Sequence, residues 1–483
     1  MADTNDAQLS YIEETTFGTT PSSALTDLRI TSESFGHNIT NTQSNEIRSD
    51  RQVTDLIQVD AEAAGGYNFE LSYGTPPDNL LEGALMTTFG AAASGGAGVN
   101  YTGALHGISF SAVDNSINDA ASGFITANIR KGQWLRVSGC ATAGNNTWHK
   151  VESVTVAKIV CTSDTTIVTD DGNGDTVRLV GTVNISMATI AAGNANGIYT
   201  FSAGNPLNEG IRVGQWVEIR GFTGNTANNG YKFVTAVDAT TFTTLQTTVT
   251  DAEGETVTVK GNMIRNGDVL HSYTIQRELE DAGQFFAFRG QVPSELSLSV
   301  AAGEIITGSL NFLGGSIETT DLAQVTFGTG ANSAAPTSDV MSAVANVAQV
   351  MEGSTLSDIS DDLFVQSVDF TVNNNLRGRK KVGTLGNASI GKGSCDVTGS
   401  FNCLFNDETL YDKFLAGTAT GLSFKMEDTS GNAYIVTFPR IKIETDDGGK
   451  ATGTNADVVE NISFRAIRHS TYNCTIQIDK FPA

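Results

Sequence analysis

Asp170-Asp171-Gly172-Asn173-Gly174-Asp175 is the stretch best equipped for chemistry, because closely spaced carboxylates can ligate Ca²⁺. Its spacing departs from the EF-hand rule, and Gly and Asn between acids equally make a hairpin turn. The aligned stretch Asp251-Ala252-Glu253-Gly254-Glu255 reads as a plain turn. Histidines 37, 106, 149, 271 and 469 show no metal-ligand spacing. Ser389-Ile390-Gly391-Lys392-Gly393-Ser394 lacks the first glycine of a phosphate loop and puts a glycine between Lys and Ser. No G-x-S-x-G or H-E-x-x-H motif occurs, and no nucleophile–base pair is evident. The acidic pairs Asp361-Asp362 and Asp446-Asp447 sit in turn contexts. The expectation is a protein without catalysis, cofactor or metal.

What remains is charge and aromatic surface. A polar loop from Asn41 to Asp55 carries Glu46, Arg48, Asp50 and Arg51 with mixed signs. A second loop, 376–392, is basic through Arg377, Arg379, Lys380 and Lys381. A net charge of −24 argues against gripping DNA, which needs clustered cations to release counterions. Trp134 and Trp216 hold matching positions in a repeated phrase, Ile129-Arg-Lys-Gly-Gln-Trp134 and Ile211-Arg-Val-Gly-Gln-Trp216. Their plain reading is a core aromatic in each copy; an exposed sugar-stacking Trp is the alternative.

The elements that must position these residues are β-strands. Glycine is abundant at 51, charged residues make up only 17%, and Thr, Val, Ile and Phe recur in short alternating runs. The odd, widely spaced cysteines (Cys140, Cys161, Cys395, Cys403, Cys474) read as reduced. The polar N-terminus and the lack of a long apolar span predict synthesis in the cytosol without a membrane segment.

Two duplications are nested. An inner pair of modules spans 100–181 and 182–262, each a small β-barrel or sandwich. An outer plan runs over 28–93 and 263–317, and again over 363–483. In the outer plan Leu28-Arg-Ile30 answers Val368-Asp-Phe370, and the Leu296 strand answers Ile441-Lys-Ile443. Each outer copy carries a helix: one opened by Asp78 with Leu80, Leu81, Ala84 and Leu85, the other opened by Asp407 with Leu410, Tyr411, Phe414 and Leu415 and closed by Gly417. Residues 1–27 read as an extended arm. Residues 318–362 read as a connector around a helix capped by Ser338 or Asp339, with Val340, Met341, Val344, Val347, Ala348 and Met351 on its apolar face.

The chain resembles the major tail tube proteins of long-tailed, siphovirus-like bacteriophages. The resemblance rests on Tyr11-Ile-Glu-Glu-Thr-Thr-Phe-Gly18-Thr-Thr-Pro21, Leu28-Arg-Ile-Thr-Ser-Glu33, Ser44-Asn-Glu46-Ile-Arg48-Ser-Asp50-Arg51-Gln52 and the Gly-Gln-Trp modules. It implies a mainly β protein: two tail-tube β-sandwich domains, each with a flanking helix, and two β-modules inserted in the first. It implies a structural virion protein of the tail, assembled in the host cytoplasm, whose rings stack through loops and arms. Two domains per chain predict a trimeric, pseudo-sixfold ring. The implied partners are other copies of the chain and the tail tip, tape-measure and tail terminator proteins, with phage DNA passing through the lumen unbound. The modules are expected on the tube exterior, dispensable for tube formation. A surface adhesin or glycan-binding β-protein is the second reading.

Overall fold

The computed structural model describes residues 3, 6–90, 99–102, 107–172, 175–193, 195–318, 320–343, 351–352, 357–358, 365–405, 408–450 and 453–483. The architecture is mainly β, as expected. In the first outer copy the elements are β1 (Ala7–Glu13), β2 (Ser32–Glu33), β3 (Gly36–Gln43), β4 (Leu56–Glu70), α1 (Pro77–Leu85), β5 (Tyr273–Leu279), β6 (Gln284–Ala301), β7 (Thr307–Ser316) and β8 (Leu322–Ala323). The second copy follows with β9 (Val365–Asn373), β10 (Arg377–Lys380), β11 (Asn387–Gly391), β12 (Asp396–Leu404), α2 (Thr409–Ala416), β13 (Thr420–Glu427), β14 (Ala433–Asp446), β15 (Val459–Ala466) and β16 (Gln477–Phe481).

The two copies build one continuous antiparallel sheet. Its order is β2–β4–β7–β6 from the first and β9–β12–β15–β14 from the second. The seam between them pairs β6 with β9 over seven residues, from Glu295↔Asn373 to Ala301↔Ser367. Period-two alternation sorts the side chains. Leu296, Leu298 and Val300 face Val372, Phe370 and Val368 on the core side, and one hydrophobic cluster runs through both copies.

A second layer is fed by the same long strands. The first half of β6 pairs with β5 and the second half with β7. β14 is shared likewise between β13 and β15. Pro293 and Pro439 sit at these hand-over points, where a residue without an N–H donor costs the ladder least. β1 completes this second layer in the first copy by pairing with β5, burying Leu9, Ser10 and Tyr11. The N-terminal stretch thus docks on its own chain.

The inserted modules each have their own core. Leu135, Val137, Val151, Ile159 and Leu179 pack in the first, and Tyr199, Val217, Ile219, Phe242 and Val259 in the second. The last strand of the second module, Val257–Arg265, runs on into the outer copy and pairs with β16.

Two local expectations are corrected, and a third falls outside the described residues. α1 is capped by Pro76 with no side-chain cap; Asp78 instead accepts hydrogen bonds from the Tyr434 hydroxyl (2.7 Å) and Lys480 Nζ (2.9 Å) across the seam. The expected cap of α2, Asp407, lies outside the described residues, while Gly417 ends that helix in the left-handed region at φ 61°. No helix starts at Ser338: Val340 and Ser342 form bridges to Ser72 and Ile305, and Met341 is buried in the main core. Tertiary pairing there overrides the helical spacing. The remainder of that expected helix, 344–350, lies outside the described residues.

Candidate functional site

The non-core face of the continuous sheet is polar from edge to edge. Asn68, Ser297, Ser299, Thr307, Ser309, Asp369, Thr371, Thr398, Ser400 and Ser463 line one open groove along it. Alternation dictates this: each residue is the sequence neighbour of a core residue, so it points away from the core. Hydrogen bonds tie the face across strands. Ser297 and Thr371 hydroxyls meet at 2.8 Å over the seam, Asn373 Nδ2 donates to Glu295 Oε2 (3.0 Å), and Asn68 Nδ2 donates to Ser32 Oγ (2.8 Å). Acids dominate the charges: Glu70, Glu295, Asp369, Asp396 and Glu444 stand against Lys442 and Arg465. Arg465 is itself held between Asp396 and Glu444 (2.6 Å to Glu444).

The outer flanks of this sheet carry open edges. Among the described residues no strand pairs with the free side of β2, nor with β14 beyond Ile441. Such edges present unpaired N–H and C=O groups.

The loop candidates lie at the tips of two hairpins. β3 and β4 project the first, with Glu46, Arg48, Asp50 and Arg51 exposed and Arg48 paired to Asp50 (2.7 Å). Its arm exposes Ile39, Ile47, Val53, Leu56, Ile57 and Val59. β10 and β11 form the second hairpin, which lies along the first: Lys380 pairs with Asp60, and Asn387 Nδ2 donates to Glu62 Oε2 (3.1 Å). Arg377 donates to the Lys392 carbonyl (2.9 Å), while Arg379 and Lys381 extend exposed.

The expectation for Trp134 and Trp216 is corrected, since neither belongs to its module's core. Trp216 is buried against the second outer copy, with Phe233, Ala433, Ile435 and Phe481, and its Nε1 donates to Thr437 Oγ1 (3.1 Å). Trp134 is half-buried and stacks with Trp148 around Arg212 of the second module (4.9 and 4.4 Å). Trp216, 2% exposed, is not free to stack on a sugar. The phrase is a docking element. In the first module Arg130 pairs with Glu82 of α1 (2.9 Å) and Gln133 Nε2 donates to the Phe89 carbonyl (3.1 Å). In the second, the Gly214 carbonyl accepts from Gln477 (2.7 Å) and the Trp216 N–H donates to Asp479 (3.2 Å). Alternation puts Val217 and Ile219 in the module core and Trp216 on the opposite face with Glu218 and Arg220; that this face is covered is decided by β16, about 260 residues away in sequence.

Burial pushes the Asp479 carboxyl up to about 8, although Gln477, Arg265 and the Trp216 N–H favour its ionised form. A carboxyl whose folded pKa lies above its unfolded value stabilises the fold fully below the usual carboxylate range, and this contribution is lost as pH rises towards 8. The difference in unfolding midpoint between wild type and Asp479→Asn should therefore drift against the wild type between pH 4 and pH 8. Differential scanning fluorimetry across that range checks it; a constant difference would contradict it.

Asp170 caps its own turn, its carboxylate accepting from the Gly172 N–H (2.9 Å) and the Thr142 N–H (3.1 Å), and residues 173–174 lie outside the described residues. Among the described residues no group of three or more His, Cys, Asp or Glu is placed to hold a metal ion, and no helix is long and apolar enough to cross a membrane. All five cysteines are free. A family model described as phage tail tube protein matches residues 4–466. No curated protein matches the chain.

Proposed function

The chain belongs to the phage tail tube protein family, so its role is structural, in the virion tail, and on that premise we propose that three copies close into one ring, that rings stack into the tube, and that the polar sheet face lines the channel for genome ejection. The repeated strand order carries this reading. Inside the chain, the last strand of the first copy (β6) pairs with the first strand of the second (β9). β14 and β2 are the corresponding last and first strands, each with one flank open. Pairing β14 with β2 of the next copy repeats a junction already made and satisfies both edges. Three chains then supply the six tube domains that the sequence resemblance implies. A contact between unlike surfaces closes into a ring when its rotation completes.

The hairpin tips, with Arg379, Lys381 and the exposed apolar residues 39–59, are suited to stacking ring on ring. A hydroxyl-rich channel wall on which acids outnumber Lys442 and Arg465 repels phosphates on balance, and Arg465 is already held by Asp396 and Glu444. The modules stand outside the eight-strand sheet and would give the tube three exterior ridges. Tail tip, tape-measure and terminator proteins would meet the tube at its ends and lumen. Negative-stain images of the concentrated protein should show stacked rings whose end-on averages have three ridges around one pore. Rings with six full-length copies would refute the trimer, and a protein that never forms tubes would refute the assembly reading.

A further inference from the structure

We propose that α2 is a docking face for the next copy of this chain, with Leu415 seated against the corner formed by Phe285, Leu322 and Val325 of that copy. The inference rests on the ring reading and names a contact that strand pairing alone does not supply.

The two outer copies end their helices alike. Met86 and Gly417 are both left-handed caps, with N–H groups turned back to Gly83 (3.2 Å) and Phe414 (3.0 Å). Counted back from the cap, Ala84 and Leu415 hold the same helical position. Their surroundings differ. The second copy encloses α1: Tyr434 and Lys480 hold Asp78, the Gly74 N–H donates to the Tyr434 hydroxyl (3.2 Å), and Asn374 Nδ2 donates to the Ala84 carbonyl (2.8 Å). Ala84 is 1% exposed. Leu415 is 65% exposed.

The internal repeat indicates what should cover α2. The cover of α1 comes from the start of β14 and from β16 paired beside it, with Tyr434 opposite Lys480. The corresponding place in the first copy is the start of β6 with β8 beside it, where Phe285 lies opposite Ala323 and Phe286 opposite Leu322. Tyr434 and Phe285 are each one residue into their strand's hairpin pairing, after Glu427↔Ala433 and Leu279↔Gln284. Counted from the hairpin, Phe285 holds the place of Tyr434. Leu322 is 57% exposed and Val325 68%. The in-chain junction is polar, built on Asp78, Tyr434 and Lys480. Its counterpart between chains would be apolar on both sides, with large exposed side chains at opposite ends of the sheet. Burying two such patches against each other removes apolar surface from water.

The test uses the full chain in a Cys395→Ser background. Leu415→Cys combined with Leu322→Cys, treated with a short bismaleimide during assembly, should give a ladder of linked chains that stops at three, absent from either single variant. Leu415→Glu should unfold at the wild-type temperature, since the side chain is exposed, and lower ring yield by about tenfold or more. Rings of the double-cysteine chain that give no cross-link, with Leu415→Glu assembling fully, would overturn the docking face and leave the ring reading intact. A wild-type chain that stays monomeric throughout would overturn both.

Discussion

Virions whose tube protein carries lysine at Ser299, Ser309 and Ser400 should assemble with normal tubes yet lose infectivity by about a hundredfold or more. All three residues line the polar groove, none is in the core, and lysine can extend into open space there. Assembly should therefore survive. The change replaces an acidic, neutral-hydroxyl wall with cations repeated in every ring. Each ring would then hold phosphates where the native face repels them, and retention would accumulate along the tube. Plaque-forming units per intact virion, together with DNA release from purified virions, measure the effect. It should weaken as salt rises, because counterions compete for the added charges. Full infectivity with intact tubes would show that this face does not meet the genome.

The second large effect separates two residues that the sequence treats as equals. Trp216→Ala should destabilise the chain by about 3–5 kcal/mol, the usual cost of emptying a buried aromatic site. The loss includes the packing on Ala433, Ile435 and Phe481 and leaves the Thr437 hydroxyl without its indole donor. Trp134→Ala should cost about 1 kcal/mol, because Arg212 keeps Trp148 as a second aromatic partner. Denaturant unfolding of the two variants gives the comparison. Equal losses would mean that Trp216 does not anchor the second module. Deleting 96–264 would also expose this apolar footprint and remove Asn262–Ile264, most of the segment that pairs with β16. The expectation that the modules are dispensable for tube formation should be tested with a deletion that spares those residues.

Much of this arrangement is legible in the sequence where local physics decides it. Leu296, Leu298 and Val300 alternate with Glu295, Ser297 and Ser299, and the structure puts the first set in the core and the second on the open face. The helix at Leu80–Leu85 follows from its apolar stripe. Non-local pairing is where the sequence falls silent. The seam of β6 with β9 joins segments about 70 residues apart, and either strand would alternate identically on a free edge. Alternation sets Trp216 on the face opposite Val217 and Ile219, but spacing cannot tell whether that outer face meets solvent or a docking surface. Ser338–Met351 has helical spacing, yet Val340 and Ser342 answer to Ser72 and Ile305, partners that no local window contains. Lys380 reads as a free cation until the neighbouring hairpin brings Asp60 to it.

The seam between β6 and β9 also bears on assembly kinetics. In the proposed ring, joining two tube domains by one polypeptide would give every second of its six junctions a fixed effective concentration, independent of how much protein the host has made. Closure of the proposed trimer would require three encounters between chains instead of six, making the dependence of nucleation on protein concentration correspondingly shallower. The covalent junction can hold charged and hydroxyl groups that must find each other only once, during folding. The junctions formed by collision carry the concentration dependence, and it is at their surfaces that selection on the rate of tail growth would act.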